Sequence, residues 1–305
     1  MSARQSGMSL VELMVALTIG TVLIIGAVSV YMQSRSSYRV NEAVARLQEN
    51  GRFALDTLEP DIRLARFWGQ TSRTSFIDGR AAPIEPNAFA GDDACGPNWG
   101  VNLDSDIDGS NNSYTLACSA HNNNPAPASD VLVVRHASSN PAALQAGRIQ
   151  IHSDRAHGEL FDNGVQPAGF VTTSETFNLI THGYYVSRDS TATNGLPSLR
   201  RKALIAGPDV TDEEIIPGVE DLQVQFGVDT TGDGIINRYV NPGAVPIGSP
   251  ILAVRLWLRL RTENIEVGFQ DDNVYTYADQ VVGPLNDNFR RLLVSKTILL
   301  RNTRQ

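Results

Sequence analysis

The feature that most constrains this chain is an uncharged apolar run close to its first residue. Twenty consecutive residues, Leu13 to Met32, carry no charge, and a single acid, Glu12, stands immediately before them. As an α-helix, twenty residues extend about 30 Å, which matches the thickness of the hydrocarbon core of a bilayer. The sequence therefore predicts a membrane-spanning helix at the N-terminus, with the rest of the chain attached to it.

The acid at the start of this run is unusual, because a carboxylate inside a membrane segment costs roughly a few kcal/mol. Two explanations are open. The dipole of the helix stabilises a negative charge at its N-terminus, or the Glu12 carboxylate has a specific partner. An ordinary secretory signal places its small cleavage residue after the apolar core. Here the small residue, Gly7, precedes the core, so cleavage after it would keep the helix and create an amine at Met8, four positions before Glu12.

The arrangement of Gly7, Met8 and Glu12 resembles the class III signal of type IV pilins and type II secretion pseudopilins. In that family a prepilin peptidase cuts after the glycine, the new first residue is N-methylated, and the fifth mature residue is a glutamate. The resemblance implies cleavage between Gly7 and Met8, N-methylation of Met8, and a role for Glu12 in assembly. Phenylalanine is commoner in the family at the position of Met8.

Four further segments are similar to PilW-type minor pilins: residues 50–55, 218–224, 229–234 and 289–302. The resemblance implies a structural minor pilin that takes part in type IV pilus assembly or priming at or near the tip. Twitching motility and surface attachment would depend on it. The implied partners are other major and minor pilins through the N-terminal helix, the prepilin peptidase, and the inner-membrane assembly machinery.

The apolar pattern continues past the membrane segment with helical spacing, through Val40, Val44, Leu47, Ala54 and Leu58. Pro60 should end or kink this helix near Glu59, and Gly69 is a plausible final stop. We therefore predict a leader at 1–7, an N-terminal helix at 8–68 with its transmembrane part at 8–32, and a globular head at 69–305.

The C-terminal half shows the alternation of β-strands that bury one face. Leu222, Val224, Phe226 and Val228 alternate with other residues, as do Val254, Leu256, Leu258 and Leu260. No helical pattern separates these stretches, which favours an antiparallel sheet. The predicted fold is α+β, with a long N-terminal pilin helix packed on an antiparallel β-sheet head.

Residues 69–128 have the Gly, Asn, Asp, Ser and Pro content of a long loop. The two cysteines of the chain, Cys95 and Cys118, both lie in it, and in an exported segment such a pair indicates a disulfide. The basic residues that flank the membrane segment do not decide its orientation. The class III signal and the cysteine pair predict a cytoplasmic N-terminus, a periplasmic head before assembly, and an extracellular pilus afterwards.

Composition and motifs argue against two other classes of protein. The net charge is −8 and only Lys202 and Lys296 are lysines, so dominant nucleic-acid binding is not expected. The sequence has no G-x-S-x-G, Walker A or G-x-G-x-x-G motif, and its five histidines form no H-E-x-x-H. We therefore do not expect an enzyme.

Two oxygen-rich loops are calcium candidates, since Ca²⁺ takes carboxylate and carbonyl oxygens. The first begins like an EF-hand loop but has Thr115 at its twelfth position, where that loop needs a bidentate glutamate. Loops of this composition also make ordinary turns, and no other cofactor is expected. The candidate ligands are Asp104, Asp106 and Asp108 in the first loop and Asp229, Thr231, Asp233 and Asn237 in the second.

Three alternative functions stay open at this point. Within the same fold, the chain is compatible with a type II secretion minor pseudopilin. In a different class, it is compatible with an adhesin or ligand-binding head on a membrane stalk, for which residues 70–128 offer the binding surface. An enzyme anchored to the membrane is the third.

Overall fold

The computed structural model describes residues 7, 9–80, 89, 95–207 and 209–303. One long α-helix, α1 (Leu10–Leu64), precedes all the strands of the described chain. The chain divides into two compact units, Met1–Arg46 and Leu47–Gln305.

In the first unit, α1 presents its apolar side chains to the outside. The side chains of Leu10, Val22 and Met32 are each at least 65 % exposed. Across the described residues, α1 is the one helix long and apolar enough to cross a membrane, with a mean hydropathy of 2.5 in its best window. Its length and composition fit the predicted membrane segment.

In the second unit, the end of α1 becomes amphipathic and packs on a sheet. Its buried residues recur every three or four positions: Leu47, Gly51, Ala54, Leu58 and Ile62. A β-carbon on Gly51 would lie 3.2 Å from Val294 Cγ1. The glycine that weakens the helix locally therefore lets the helix approach the sheet closely.

An eight-stranded sheet makes up much of the second unit. Its strand order is β1-β5-β4-β6-β3-β2, and β7 pairs with β6 while β8 pairs with β7. Every pair is antiparallel except the short parallel pair of β1 and β5. The strands are β1 (Ile77–Asp78), β2 (Ile107–Ser110), β3 (Val131–Ala137), β4 (Ala146–Ser153), β5 (Gly158–Asn163), β6 (Glu175–Ser187), β7 (Ser198–Ile205) and β8 (Asp209–Pro217).

A four-stranded antiparallel sheet follows, in the order β10-β9-β11-β14, with a separate hairpin of β12 and β13. Its alternating leucines and valines face the first hydrophobic cluster, which also holds Leu58 and Ile62 of α1. A second cluster surrounds Trp68, Trp99 and Phe177. The strands are β9 (Val219–Val228), β10 (Arg238–Val240), β11 (Ile251–Arg261), β12 (Tyr275–Tyr277), β13 (Gln280–Val282) and β14 (Arg291–Leu299).

These elements confirm the predicted α+β class, a long N-terminal helix followed by a largely antiparallel β head. The strand alternation read from the sequence corresponds to β9 and β11, whose apolar sides are buried. The structure divides the head between two large sheets and includes one parallel pair, which the sequence pattern did not indicate.

Three local features differ from the prediction. Of the end or kink predicted at Pro60, the end does not occur: α1 continues to Leu64 and buries Ile62 completely. This burial offsets the roughly 3 kcal/mol that an interior proline costs a helix. The helix ends before the predicted residue 68, and Arg66, not Gly69, takes the first left-handed conformation after it, with φ 64°. Residues 69–128 also contain β1, β2 and two short 3₁₀ helices, Thr74–Phe76 and His121–Asn123.

Candidate functional site

The start of α1 holds the residues that the sequence singles out. Gly7 is exposed, and Met8 lies outside the described residues. Glu12 is exposed at the first turn, where its Oε2 accepts hydrogen bonds from the backbone N of Ser9 (3.0 Å) and from Ser9 Oγ (3.2 Å). The backbone N of Glu12 donates to Ser9 Oγ in return, at 3.2 Å.

These reciprocal contacts form a capping box, in which Ser9 and Glu12 satisfy two backbone donors at a helix start. Its signature, a serine followed three residues later by a glutamate, is present in the sequence and was missed by the sequence reasoning. Within its own chain the carboxylate thus caps the helix and remains exposed to solvent or to a partner. The amine expected at Met8 falls on an undescribed residue.

A second polar site lies where α1 meets the eight-stranded sheet. The carboxylate of Asp61 accepts hydrogen bonds at Oδ1 from His136 Nε2 on β3 (3.2 Å) and at Oδ2 from His182 Nδ1 on β6. The hydroxyl of Tyr184, also on β6, donates to the same Oδ2. His136 and His182 come to one side of the sheet because β3 and β6 pair in antiparallel register, with Val134 opposite His182.

Burial makes this cluster energetically important. The side chains of His136 and Asp61 are only 2 % and 16 % exposed. His136 Nδ1 faces the Ala137 carbonyl oxygen at 2.8 Å, while its Nε2 faces Asp61. Both ring nitrogens of His136 therefore face an oxygen that can accept a hydrogen bond.

The electrostatics of the cluster keep Asp61 ionised. Burial alone raises the pKa of its carboxyl, but the hydrogen bonds from His136 and His182 outweigh burial and hold that pKa well below its ordinary value. Burial and the neighbouring Asp61 raise the pKa of Tyr184 well above its ordinary value, so its hydroxyl stays a donor. Together these groups join the helix to two strands of the sheet.

The lowered pKa of Asp61 predicts how stability changes in acid. A group whose pKa is depressed by folding contributes stability that is present above its unfolded pKa, about 3.9, and is lost as pH falls toward the folded pKa. We expect urea midpoints of the full chain to drop as pH falls below about 4. Asp61→Asn should reduce this acid dependence; an identical pH profile in the variant would contradict it.

The structure joins the two cysteines, with Sγ of Cys95 bonded to Sγ of Cys118 across 23 residues. Cys95 is buried in the second hydrophobic cluster, and Cys118 packs against that cluster. The bond therefore ties the segment between them to the core of the head.

This bond gives a direct prediction. Alkylation of the native, unreduced protein should detect no free thiol. Replacing both residues, Cys95→Ala with Cys118→Ala, should lower the free energy of unfolding by about 3 kcal/mol, because the unfolded chain regains the freedom of the closed loop. Two reactive thiols in the native protein would contradict the bonded state.

The calcium candidates are placed in two turns. Both oxygens of Asp229 accept backbone hydrogen bonds, from Thr231 and Gly232 at Oδ1 and from Gly234 at Oδ2. Asn237 Oδ1 accepts the backbone N of Thr230. In this loop the candidate ligands Asp229, Thr231 and Asn237 are close together, while Asp233 Oδ1 accepts the backbone N of Ile235.

In the first loop, the acids have partners of other kinds. Asp104 lies 3.6 Å from Arg80, and Asp108 accepts the backbone N of Gly109. Burial raises the pKa of Asp106 to about 6. Within the described residues, no group of three or more His, Cys, Asp or Glu side chains is positioned to hold a metal ion.

Comparisons with known proteins match both ends of the chain. The family model described as the prokaryotic N-terminal methylation motif matches residues 2–28, and the model of the type IV pilus-assembly protein W matches residues 183–302. A type IV-like pilin from Thermus thermophilus is 14 % identical and covers 58 % of this chain and 81 % of its own, with a TM-score of 0.29. No curated protein sequence matches the chain.

The two matches include the segment from Gly7 to Glu12 and three of the four PilW-like segments, 218–224, 229–234 and 289–302, while residues 50–55 lie outside both. The methylation motif includes Gly7, Glu12 and most of the apolar run. The second match begins within β6 and extends through β14, which includes the whole four-stranded sheet. The chain therefore carries the prokaryotic N-terminal methylation motif over residues 2–28 and a domain that matches the type IV pilus-assembly protein W over residues 183–302.

Proposed function

We propose that this chain is a minor pilin that takes part in assembly or priming of a type IV pilus, at or near its tip. The proposal rests on one combination of features. A methylation motif contains the start of a helix with an exposed apolar surface, and a head that matches the PilW model follows this helix in the chain. The helix would pack against the helices of other pilins, so its exposed apolar surface would be covered in lipid and then in the filament.

The proposed division of the chain follows from this role. Residues 1–7 are a leader removed by a prepilin peptidase, and the helix predicted at 8–68 spans the inner membrane with residues 8–32. The head comprises residues 69–305 and includes the disulfide-bonded loop near 95–118. It lies in the periplasm before assembly and outside the cell in the pilus. The N-terminus stays cytoplasmic until the subunit leaves the membrane.

In the proposed assembly step, Glu12 sets the axial position of one subunit's helix relative to the helix of its neighbour. Once the leader is removed, the Met8 amine of one subunit carries a positive charge that the Glu12 carboxylate of a neighbour can pair with. In a medium of low dielectric an unpaired carboxylate is strongly disfavoured, so this pairing selects one axial offset between helices. The remaining partners are the inner-membrane assembly proteins that extract the subunit.

The test is a strain that lacks this chain, complemented with wild-type protein or with Gly7→Leu, which blocks cleavage. We expect few or no surface pili in the deletion strain, recovery with the wild type, and no recovery with Gly7→Leu. Sheared pili examined by immunogold labelling should carry the chain at their ends. Normal piliation and twitching without the chain would contradict the proposal, and loss of protein secretion alone would favour a secretion pseudopilin.

A further inference from the structure

An arginine is held in place on the outer face of the four-stranded sheet, opposite the face that packs on α1. Strand alternation puts Leu256 and Leu258 into the core and turns Arg255 outward. The guanidinium carbon of Arg255 lies 3.7 Å from the ring centre of Tyr239 on β10. Its Nε donates to Thr297 Oγ1 on β14, at 3.3 Å. Contacts on both sides fix the guanidinium plane.

A glycine makes room for this stacking. Gly227 on β9 pairs with Tyr239 on one side and with Ala253 on the other. A β-carbon on Gly227 would lie 3.0 Å from Tyr239 Cε1 and 3.3 Å from Ala253 Cβ. The missing side chain therefore lets the tyrosine ring lie across the sheet toward Arg255.

Arg255 differs from three other arginines of this sheet, because no acid among the described residues forms an ion pair with it. Arg259, Arg261 and Arg291 all lie within 3.6 Å of Glu220. Within the described residues, the two terminal nitrogens of Arg255 make no hydrogen bond. A guanidinium already fixed in one orientation presents two parallel donors that match the two oxygens of a carboxylate.

The surroundings favour a sugar acid over a protein as the source of that carboxylate. Trp257, two residues along β11, is half-buried with its ring 5.9 Å from the Arg255 guanidinium. The outward residues opposite the pair on β14, Ser295 and Thr297, are polar and exposed. The centre of a protein interface is typically apolar, whereas a uronic acid combines a carboxylate, hydroxyls and one apolar face on a rigid ring.

We propose that this face binds an acidic saccharide, with a uronic acid carboxylate on the Arg255 guanidinium and the sugar ring against Trp257. The hydroxyls of Ser295 and Thr297 lie beside these two side chains and are available to the sugar hydroxyls. This site belongs to the head alone and does not depend on the proposed role in pilus assembly.

The test measures binding of tetragalacturonate to the full chain in nanodiscs by isothermal titration calorimetry, with galactotetraose as the neutral probe. We expect saturable binding of the acidic probe only. Arg255→Lys keeps the charge but loses the second donor, so it should weaken binding by about tenfold or more. Gly227→Ala should weaken it as well. The matched control is Arg238→Lys, an exposed arginine next to Tyr239, which should leave affinity unchanged.

Thermal unfolding of each variant separates loss of the site from loss of the fold. Equal binding of both saccharides, or unchanged affinity in a folded Arg255→Lys protein, would overturn the proposal. Equally tight binding of tetraglutamate would also overturn it, because the site would then recognise an acidic polypeptide.

Discussion

Replacing Asp61 by alanine should lower the free energy of unfolding by about 3–5 kcal/mol, because three largely buried donors lose their acceptor and each such loss costs about 1–3 kcal/mol. The carboxylate accepts hydrogen bonds from His136, His182 and Tyr184, which lie on two strands. Its loss leaves the buried ring of His136 and the hydroxyl of Tyr184 without their acceptor. The measurement is urea unfolding of the full chain in detergent, followed by the fluorescence of tryptophan, since Trp68 is fully buried.

The matched control is Asp56→Ala, on the same helix. Asp56 also pairs with a cation of the sheet, Lys296, at 3.3 Å, but its side chain is 53 % exposed. An exposed pair of this kind contributes little because water screens it and both side chains lose freedom. We expect a far smaller loss for Asp56→Ala; equal losses in the two variants would show that the cluster does not hold the helix to the sheet.

Replacing Glu12 by valine should leave membrane insertion intact, because it removes a costly charge from the start of the apolar segment. Incorporation into pili should fall by about tenfold or more, since one charge-assisted contact is worth about 1.5–3 kcal/mol. The measurements are membrane fractionation, leader cleavage, recovery of other pilins by pull-down, and the amount of surface pili.

The capping box provides a second variant that separates two roles of Glu12. Glutamine can also accept the hydrogen bond from the Ser9 backbone, so Glu12→Gln keeps the cap and removes the charge. If the charge sets the register between subunits, Glu12→Gln should fail in assembly as Glu12→Val does. Normal piliation with Glu12→Gln would assign the residue to helix capping alone, and loss of membrane insertion in either variant would indicate a role in topology.

Periodicity in the sequence was enough to predict the main elements. The alternation in β9 and β11 and the helical spacing in α1 appear in the structure because burial of one face gives each element its own period. At Pro60 the sequence predicted an end or a kink of the helix, and α1 does not end there, since the helix continues to Leu64 and buries Ile62. Helix propensities take account of neighbouring residues in the sequence only, whereas the end of α1 also depends on how it packs against the sheet.

The cluster of Asp61, His136, His182 and Tyr184 could not be predicted from sequence periodicity. Asp61 is 75 residues from His136 and 121 from His182, and no motif links such positions. The histidines appeared unrelated in the sequence, and only the pairing of β3 with β6 brings them together. The same holds for Arg255 and Tyr239, which meet because Gly227 leaves space between their strands. The Ser9 and Glu12 pair is the exception, since its spacing alone would have revealed it.

The most direct test of the pilin assignment is the intact mass of the protein isolated from membranes, with and without the prepilin peptidase. With the peptidase, we predict a chain that begins at Met8 and carries one additional methyl group. Without it, the full leader of residues 1–7 should remain. A protein that begins at Met1 in both strains, or one cleaved beyond residue 25, would contradict the assignment of Gly7 and Met8 as a pilin processing site.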